Sequence, residues 1–461
     1  MPAENNRKRD DSGKLWGYFL NVFNVILIAV PFALCWYWCY ADTIYIPFFH
    51  WGNVALIFLY AFIYFTICKL YSGFNVSIVR ISELVYSQLL SILVTDFITY
   101  VIIFLLSYRL ASAWELVVLY AVQAVLAVLW SLFANKSFFR NNRPMRTVVI
   151  WDARQSVEEL IKEYKLDKRF EVAGTYYIND CIDDLGSALK DAEAVFLCGV
   201  HSRERNIIVK YCIDTDIRMF VIPGVADVIM SSAKPLHILH LPVMSLERYD
   251  PSPEYLFIKR AADIIISGIA LVLLSPLMLV TALFVKRDGG TVFYRQKRLT
   301  RNRREFDIIK FRTMRMDAEK DGIARLSTGA DDDRVTKVGK VLRKFRIDEL
   351  PQLICVFLGT MSLVGPRPER PEIAKQYEEE TPEFAFRLQA KAGLTGFAQV
   401  YGKYNTTPYD KLLMDLQYIA NPSLVEDTKL LFATIKIIFM PESTEGVAEG
   451  QITASTKERN E

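Results

Sequence analysis

The sequence predicts a membrane protein with four N-terminal transmembrane helices, a Rossmann-like α/β domain and a charge-rich C-terminal domain carrying a re-entrant membrane helix. Three observations predict it. Four apolar runs of spanning length fill the first third; short apolar strands alternate with polar helices in the middle; and a fifth apolar run is basic at both ends and broken by proline. At 461 residues the chain is too long for one ordinary domain. Its 52 % hydrophobic composition is high for a soluble protein, so part of it belongs in lipid. The expected limits are 1–144 for the spans, 145–250 for the α/β domain, 251–441 for the C-terminal domain and 442–461 for a flexible tail.

The four runs are Leu15–Tyr40, Val54–Tyr71, Leu84–Ser107 and Trp114–Ala134, each long enough to cross a hydrocarbon core. Trp16, Tyr18, Trp36, Trp38, Tyr108 and Trp114 gather near their ends, as interfacial aromatics do. The N-terminus, the second loop with Arg80, and the segment carrying Lys136, Arg140, Arg143 and Arg146 are basic. The first loop has no Lys or Arg and the third has Arg109 alone, so the positive-inside rule puts both the N-terminus and everything after Ala134 in the cytoplasm. The first run is too long for a signal-peptide core and lacks a small-residue cleavage site, so it reads as a retained anchor. Asp96, inside the third run with no intramembrane cation to pair with, reads as a hydrogen-bonded packing residue.

A formal charge of +3 argues for no nucleic-acid partner. Seven scattered cysteines without a CxxC pair, and only four histidines, argue against a zinc site, a disulfide framework or a histidine-rich metal centre.

In the middle domain Arg146–Trp151, Glu171–Tyr177, Ala194–Gly199 and Arg218–Pro223 read as buried strands, with helices at Ser156–Tyr164 and Arg203–Cys212. The turn after the first strand, Trp151-Asp152-Ala153-Arg154-Gln155, has no glycine to admit a pyrophosphate, so a structural or regulatory domain without cofactor is expected.

Ala261–Val285 decides the architecture. It is apolar apart from Asp263, bounded by Lys259-Arg260 and Lys286-Arg287, and interrupted by Ser275-Pro276. A straight span would carry one basic cluster to the wrong side, whereas proline kinks a helix and Ser275 can satisfy a freed carbonyl. A re-entrant helix over 255–287 meets both facts; a proline-kinked fifth span breaks the charge rule.

Four clusters beyond it have chemical meaning. Eleven Lys or Arg residues lie between Lys286 and Arg315. Most of such a run serves anionic headgroups, but Lys310 and Arg312 alternate about Phe311, on one face of an expected strand, where they can grip phosphate. Arg343 and then Arg346-Ile347-Asp348-Glu349-Leu350-Pro351-Gln352 place two adjacent carboxylates at an expected helix start. Asp348 there is a good N-cap and Glu349 favours the helix dipole. Successive helical residues point about 100° apart, so one carboxylate can attack phosphorus while the other holds a cation. In Ser362–Pro368, Pro366 and Pro368 stiffen Arg367 for bidentate phosphate contact. Gly393-Leu394-Thr395-Gly396, with Gln399 and Gly402, suits close backbone approach to a ligand.

In this order, from Lys259 to Met440, the motifs resemble those of the bacterial sugar transferase family, the polyprenyl-phosphate hexose-1-phosphate transferases. Lys259-Arg260 with Asp263, Ser275-Pro276, Tyr294-Arg295-Gln296, Lys310–Met314, Asp332-Asp333-Arg334, Asp348–Gln352 and Ser362–Pro368 carry the resemblance. The spans and α/β domain resemble the family's larger, monotopic phosphoglycosyl transferase members. The resemblance implies that Asp348 is the nucleophile, Glu349 a Mg²⁺ ligand and Ser275-Pro276 the breakpoint of the re-entrant helix. It also implies that Arg295, Lys310, Arg312, Arg343, Arg367, Gly393, Thr395, Gln399 and Lys403 serve a nucleotide sugar, with UDP-glucose or UDP-galactose as default donors. Ala392, where the family has proline, and Lys403, where it has arginine, are departures in the donor region. The implied partners are a UDP-sugar, polyprenyl phosphate and the inner leaflet of the bacterial plasma membrane, with the C-terminal domain cytoplasmic; a homo-oligomer is left open. A nucleotide-sugar dehydratase or epimerase on the middle domain would need the missing glycine loop, and a non-enzymatic scaffold would leave the charged clusters without purpose.

Overall fold

The computed structural model describes residues 2–77, 79–107, 111–152, 161, 166–238, 240–287, 289–315, 334–402 and 406–438, with side chains from residue 15 onward. Outside the described residues lie the turn residues Ala153–Gln155, the helix expected over Ser156–Tyr164 apart from Ile161, Asp332-Asp333, Lys403 and the tail 442–461. Contacts divide the chain into two compact units, Met1–Ile222 and Pro223–Glu461.

The first unit begins with α1 (Pro2–Cys35, continued by a π-helical turn to Tyr40), α2 (Gly52–Leu70), α3 (Ile81–Leu106) and α4 (Trp114–Asn141). Each contains a stretch long and apolar enough to cross a membrane. Their outward faces expose Phe58, Phe62, Phe97, Leu105 and Val125, at 60 % or more of their surface. Helices apolar all round are stable in lipid, not in water. Polar side chains are inside instead: Asn24, Gln88, Ser91, Thr95, Asp96 and Gln123 are buried among Phe32, Tyr60, Tyr64 and Ile92. The Tyr60 hydroxyl donates to Asp96 Oδ1 at 2.8 Å and accepts from Gln123 Nε2 at 2.8 Å, so Asp96 is a hydrogen-bonded packing residue.

Four parallel strands follow, β1 (Met145–Trp151), β2 (Phe170–Tyr177), β3 (Ala194–Cys198) and β4 (Arg218–Ile222), in the order β2-β1-β3-β4. Val148, Val149 and Ile150 of the central strand are buried on both faces, which is why this strand is continuously apolar. The crossover helix α5 (Ser202–Asp214) buries Ile208 and Cys212.

The second unit differs from the expected boundary at residue 250. α6 (Val225–Met230) buries Val228 in the same core as Leu353, Val356, Leu412 and Leu416, and Tyr249 packs there too. The residues after β4 thus find apolar cover in the C-terminal unit. An exposed antiparallel hairpin, β5 (Lys234–Ile238) with β6 (Leu241–Ser245), lies between them and was not expected.

Helix α7 (Pro253–Arg287) is continuous through Pro276. Proline removes the donor for Val272 O, and the Ser275 hydroxyl donates to that carbonyl at 2.7 Å. Ala270, Leu271 and Leu274 pack on one core of the unit, and Met278, Ala282 and Val285 on a second with Phe311 and Leu342. The opposite face exposes Ile265, Ile269, Val272, Leu273, Leu279 and Leu283.

The antiparallel ribbon β7 (Phe293–Leu299) and β8 (Glu305–Phe311) leads to α8 (Lys337–Lys344), α9 (Gln352–Leu358) and β9 (Ser362–Val364). After α10 (Pro371–Glu380), strand β10 (Gly393–Thr395) pairs in parallel with β9, and α11 (Pro408–Ala420) and α12 (Leu424–Ile438) close the core.

Candidate active site

Asp348 and Glu349 lie in a single 3₁₀ turn, Ile347–Glu349, between α8 and α9. The turn is entered through Arg346 in the left-handed region (φ 53°, ψ 23°), a conformation that costs a non-glycine residue energy and tends to be kept at functional sites. This corrects the capping expectation. Helix α9 starts at Gln352 behind Pro351, with no side-chain cap, and Asp348 is too far upstream to serve one.

Glu349 is enclosed by cations. Lys310 Nζ is 3.0 Å and Arg367 Nη2 3.3 Å from its Oε1, and Arg346 Nη1 is 4.0 Å from Oε2. Burial pushes the Glu349 carboxyl up, but Lys310, Arg367 and Arg346 outweigh it, and the net shift is well below the usual carboxylate range. Asp348 moves the other way. Burial, then the Glu349 charge, push it up to about 6 against the pull of Lys310 and Arg343. Arg343, in the last turn of α8, is oriented by a 3.0 Å bond from Nε to Thr313 Oγ1. Four cations therefore face two carboxylates, leaving a net positive site suited to a diphosphate.

Lys310 reaches Glu349 from β8, whose Ile308 is anchored in the core with Leu353 and Val356 of α9. The register pairs Lys310 with Tyr294 but Arg295 with Ile309, so Arg295 lies on the opposite face of the ribbon, exposed. Arg312 departs from its expected role. The strand ends at Phe311, and the buried guanidinium turns inward to donate to Thr291 O (2.8 Å), Met314 O (3.2 Å), Val285 O (3.2 Å) and Gly289 O. It ties the end of α7 to the ribbon, with its donors spent on backbone instead of phosphate.

The glycine loop also has a different use from close approach to a ligand. A Cβ on Gly393 or Gly396 would collide with the backbone of Gly365, and one on Gly365 with Lys391 O. These glycines let β9 and β10 pack backbone on backbone and so fix the turn carrying Arg367. Thr395, 4 % exposed, shares a 2.5 Å hydroxyl contact with Thr434 of α12. Gln399 follows in the short helix Phe397–Val400, with its Oε1 buried and without a hydrogen-bond partner.

The basic and acidic residues of α7 anchor it to the unit. Lys259 Nζ lies 2.8 Å from Asp427 Oδ2, Arg260 donates to Val356 O and Phe357 O at the end of α9 (both 2.8 Å), and Asp263 Oδ1 accepts from Leu363 N at 2.9 Å.

The structure thus joins Asp348, Glu349, Lys310, Arg343 and Arg367, and adds Arg346, which sequence reading quoted only as part of a motif. It also adds two arginines that hold the Arg367 turn: buried Arg387 donates to Arg367 O at 2.8 Å, and half-buried Arg298 to Pro368 O at 3.1 Å. Their burial depends on residues distant in sequence, and no local pattern announces it. A small cleft lined by Arg367, Arg387, Glu369 and Phe384 lies behind this turn and includes neither carboxylate.

Two carboxylates ringed by cations, in a unit that also carries a long apolar helix, define a site of net positive charge suited to an anionic ligand. Residues 254–441 match the family model described as bacterial sugar transferase. The chain is similar to a UDP-N-acetylgalactosamine-undecaprenyl-phosphate N-acetylgalactosaminephosphotransferase of Aeromonas hydrophila, 43 % identical over 43 % of this chain and 48 % of that one. It is also similar to UDP-glucose:undecaprenyl-phosphate glucose-1-phosphate transferases of Caulobacter vibrioides (40 % identical, over 38 % of this chain and 68 % of that one) and Escherichia coli (32 %, over 58 % and 61 %). The match spans about half the length of the Aeromonas relative. The chain belongs to the bacterial sugar transferase family.

Proposed function

We propose that this protein transfers a hexose-1-phosphate from a UDP-sugar to polyprenyl phosphate, releasing UMP and starting the assembly of an exopolysaccharide, capsule or O-antigen. The observation that carries the reading is the strained turn presenting Asp348 and Glu349 to four cations. Asp348 attacks the phosphorus bearing the sugar. The bond to the UMP oxygen breaks, and UMP leaves with the electron pair. The lipid phosphate then attacks the resulting acyl phosphate, its P–O bond to Asp348 breaks, and the carboxylate is regenerated. Lys310, Arg343, Arg346 and Arg367 counter the charge repulsion that otherwise keeps a carboxylate from a diphosphate.

Glu349 is a hard oxygen donor of the kind Mg²⁺ takes, and a small cation held by one carboxylate would draw its remaining ligands from substrate phosphates and water. Glu349 would hold it, in place of part of its present pairing with Lys310 and Arg367. Bound there, the ion would supply neutralisation of charge on the leaving phosphate.

The membrane arrangement is proposed on the same footing. The four N-terminal helices span, the unit from residue 223 lies at the cytoplasmic face, and α7 enters the inner leaflet and returns. Support comes from both ends of α7 docking on one body, through Arg260 on α9 and through Arg312 on Val285 and Gly289. A straight span would carry those ends to opposite sides. The α/β domain is proposed to be dispensable for the chemistry and to bind no dinucleotide.

The experiment is a donor panel: purified protein, polyprenyl phosphate, Mg²⁺ and each UDP-hexose in turn, with UMP release as the readout. Lipid-dependent UMP release with one donor is expected; no release with any donor would sink the reading.

A further inference from the structure

The Pro366-Arg367-Pro368 turn is gripped from behind by a side-chain pair that no step above employs. Arg387, in the 3₁₀ stretch Pro382–Gln389, is 3 % exposed, and Asp415 of α11 is 1 % exposed. Arg387 donates to Asp415 Oδ2 from Nε at 2.9 Å and from Nη2 at 2.5 Å. Another Nη2 hydrogen goes to Arg367 O at 2.8 Å, and Nη1 lies 3.7 Å from Glu369 Oε1. The Phe384 ring sits 4.7 Å from the guanidinium carbon. The Nε and Nη2 donors of the planar fork are thus taken, and one of them ends on the residue that bridges to Glu349.

Such a pair is a poor source of stability. Dehydrating two charges costs about as much as their attraction returns, and well-packed apolar residues often do better in the same volume. What a locked guanidinium supplies is geometry: donors at fixed angles holding a chosen carbonyl. Here the carbonyl belongs to Arg367, whose own guanidinium lies 3.3 Å from Glu349. A shift of the turn by an ångström would break that contact.

We propose that Arg387 and Asp415 are positioning residues for the transfer reaction: by fixing the Arg367 carbonyl they aim its guanidinium at Glu349 and at the donor diphosphate. The inference rests on the function proposed above. Lysine at 387 keeps the charge beside Asp415 but cannot also hold the Arg367 carbonyl, because it lacks the fork.

The test is a double-mutant cycle on the full-length protein, with UMP release and thermal melting measured for the wild type, Arg387→Lys, Arg367→Lys and the double variant. Arg387→Lys should melt near the wild type and lose on the order of tenfold in kcat or more. In the Arg367→Lys background the same change should cost less than about twofold, because the group it positions is already gone. Equal fold-losses in both backgrounds would mean a merely structural role and overturn the proposal, as would a folded Arg387→Lys with wild-type kcat. Asp415→Asn, run through the same cycle, is read identically if Arg387→Lys is unstable; if neither variant folds, the pair serves the core and the proposal fails. Wild type inactive with every donor would instead defeat the proposed function and leave a different signature.

Discussion

A carboxylate that attacks phosphorus has to be ionised, partly dehydrated and aimed, and in the proposed reaction Asp348 would meet these demands through its neighbours. Burial and Glu349 raise it to about 6, and Lys310 and Arg343 keep it from rising further. The charged form therefore prevails at neutral pH and is lost as pH falls through 6. Glu349, held down by Lys310, Arg367 and Arg346, stays ionised throughout. The rate of UMP release should accordingly show an acid limb near pH 6, about tenfold per unit below it; a profile flat to pH 4.5 would remove Asp348 from the rate-determining chemistry. Since Asp348 caps no helix, Asp348→Asn should fold as the wild type does while losing at least about a thousandfold in turnover. Wild type given UDP-sugar without lipid should carry the sugar phosphate on the peptide containing Asp348. Wild-type turnover by Asp348→Asn would end the assignment. The acidic pair, Lys310 and Arg367 each stood out in a short local motif, but their meeting across 39 and 18 residues of chain was not legible in any of those motifs. Arg312 was misread because alternation about Phe311 cannot show that the strand stops there, and Arg387 escaped notice because its burial is made by α11.

At the scale of elements, two features carry predictions. The β9–β10 pair relies on glycines 28 residues apart meeting backbone to backbone, Gly365 against Gly393. A methyl on Gly393 meets main chain that cannot yield. Gly393→Ala should therefore destabilise the protein by about 1–3 kcal/mol and cut turnover further than stability alone explains, by moving Arg367; melting and kcat together would check this. Nothing in Gly393-Leu394-Thr395-Gly396 indicates a backbone partner so distant, and a ligand was the natural expectation. Helix α7 was legible as a long apolar element with basic ends, whereas the break expected at Ser275-Pro276 does not interrupt it, because the helix runs on through Pro276. Cysteines placed at Arg260 and at Lys286, in a background without the native cysteines, should both label from the cytoplasmic side of sealed vesicles. Labelling of one only from outside would make α7 a span.

For the molecule as a whole, the four long helices and the parallel sheet were legible because lipid-facing helices are apolar all round and a doubly covered central strand is continuously apolar. The unit boundary was not. Val225, Val228 and Tyr249 look like the end of the α/β pattern, yet they bury themselves with Leu412 and Leu416, almost two hundred residues on. A chain beginning at Pro223 should thus retain transfer activity and melt higher than one beginning at Ser252, which strips that cover from the core; equal melting would restore the boundary at 250. The outward face of α7 has a further consequence. Ile265, Ile269, Val272, Leu273, Leu279 and Leu283 are greasy area, not charge, and on the re-entrant reading they rest among acyl chains. Ionic strength screens charges and leaves apolar contacts intact. Even with its first 222 residues cut away, the remaining unit would stay in the pellet through a high-salt wash and come free only in detergent.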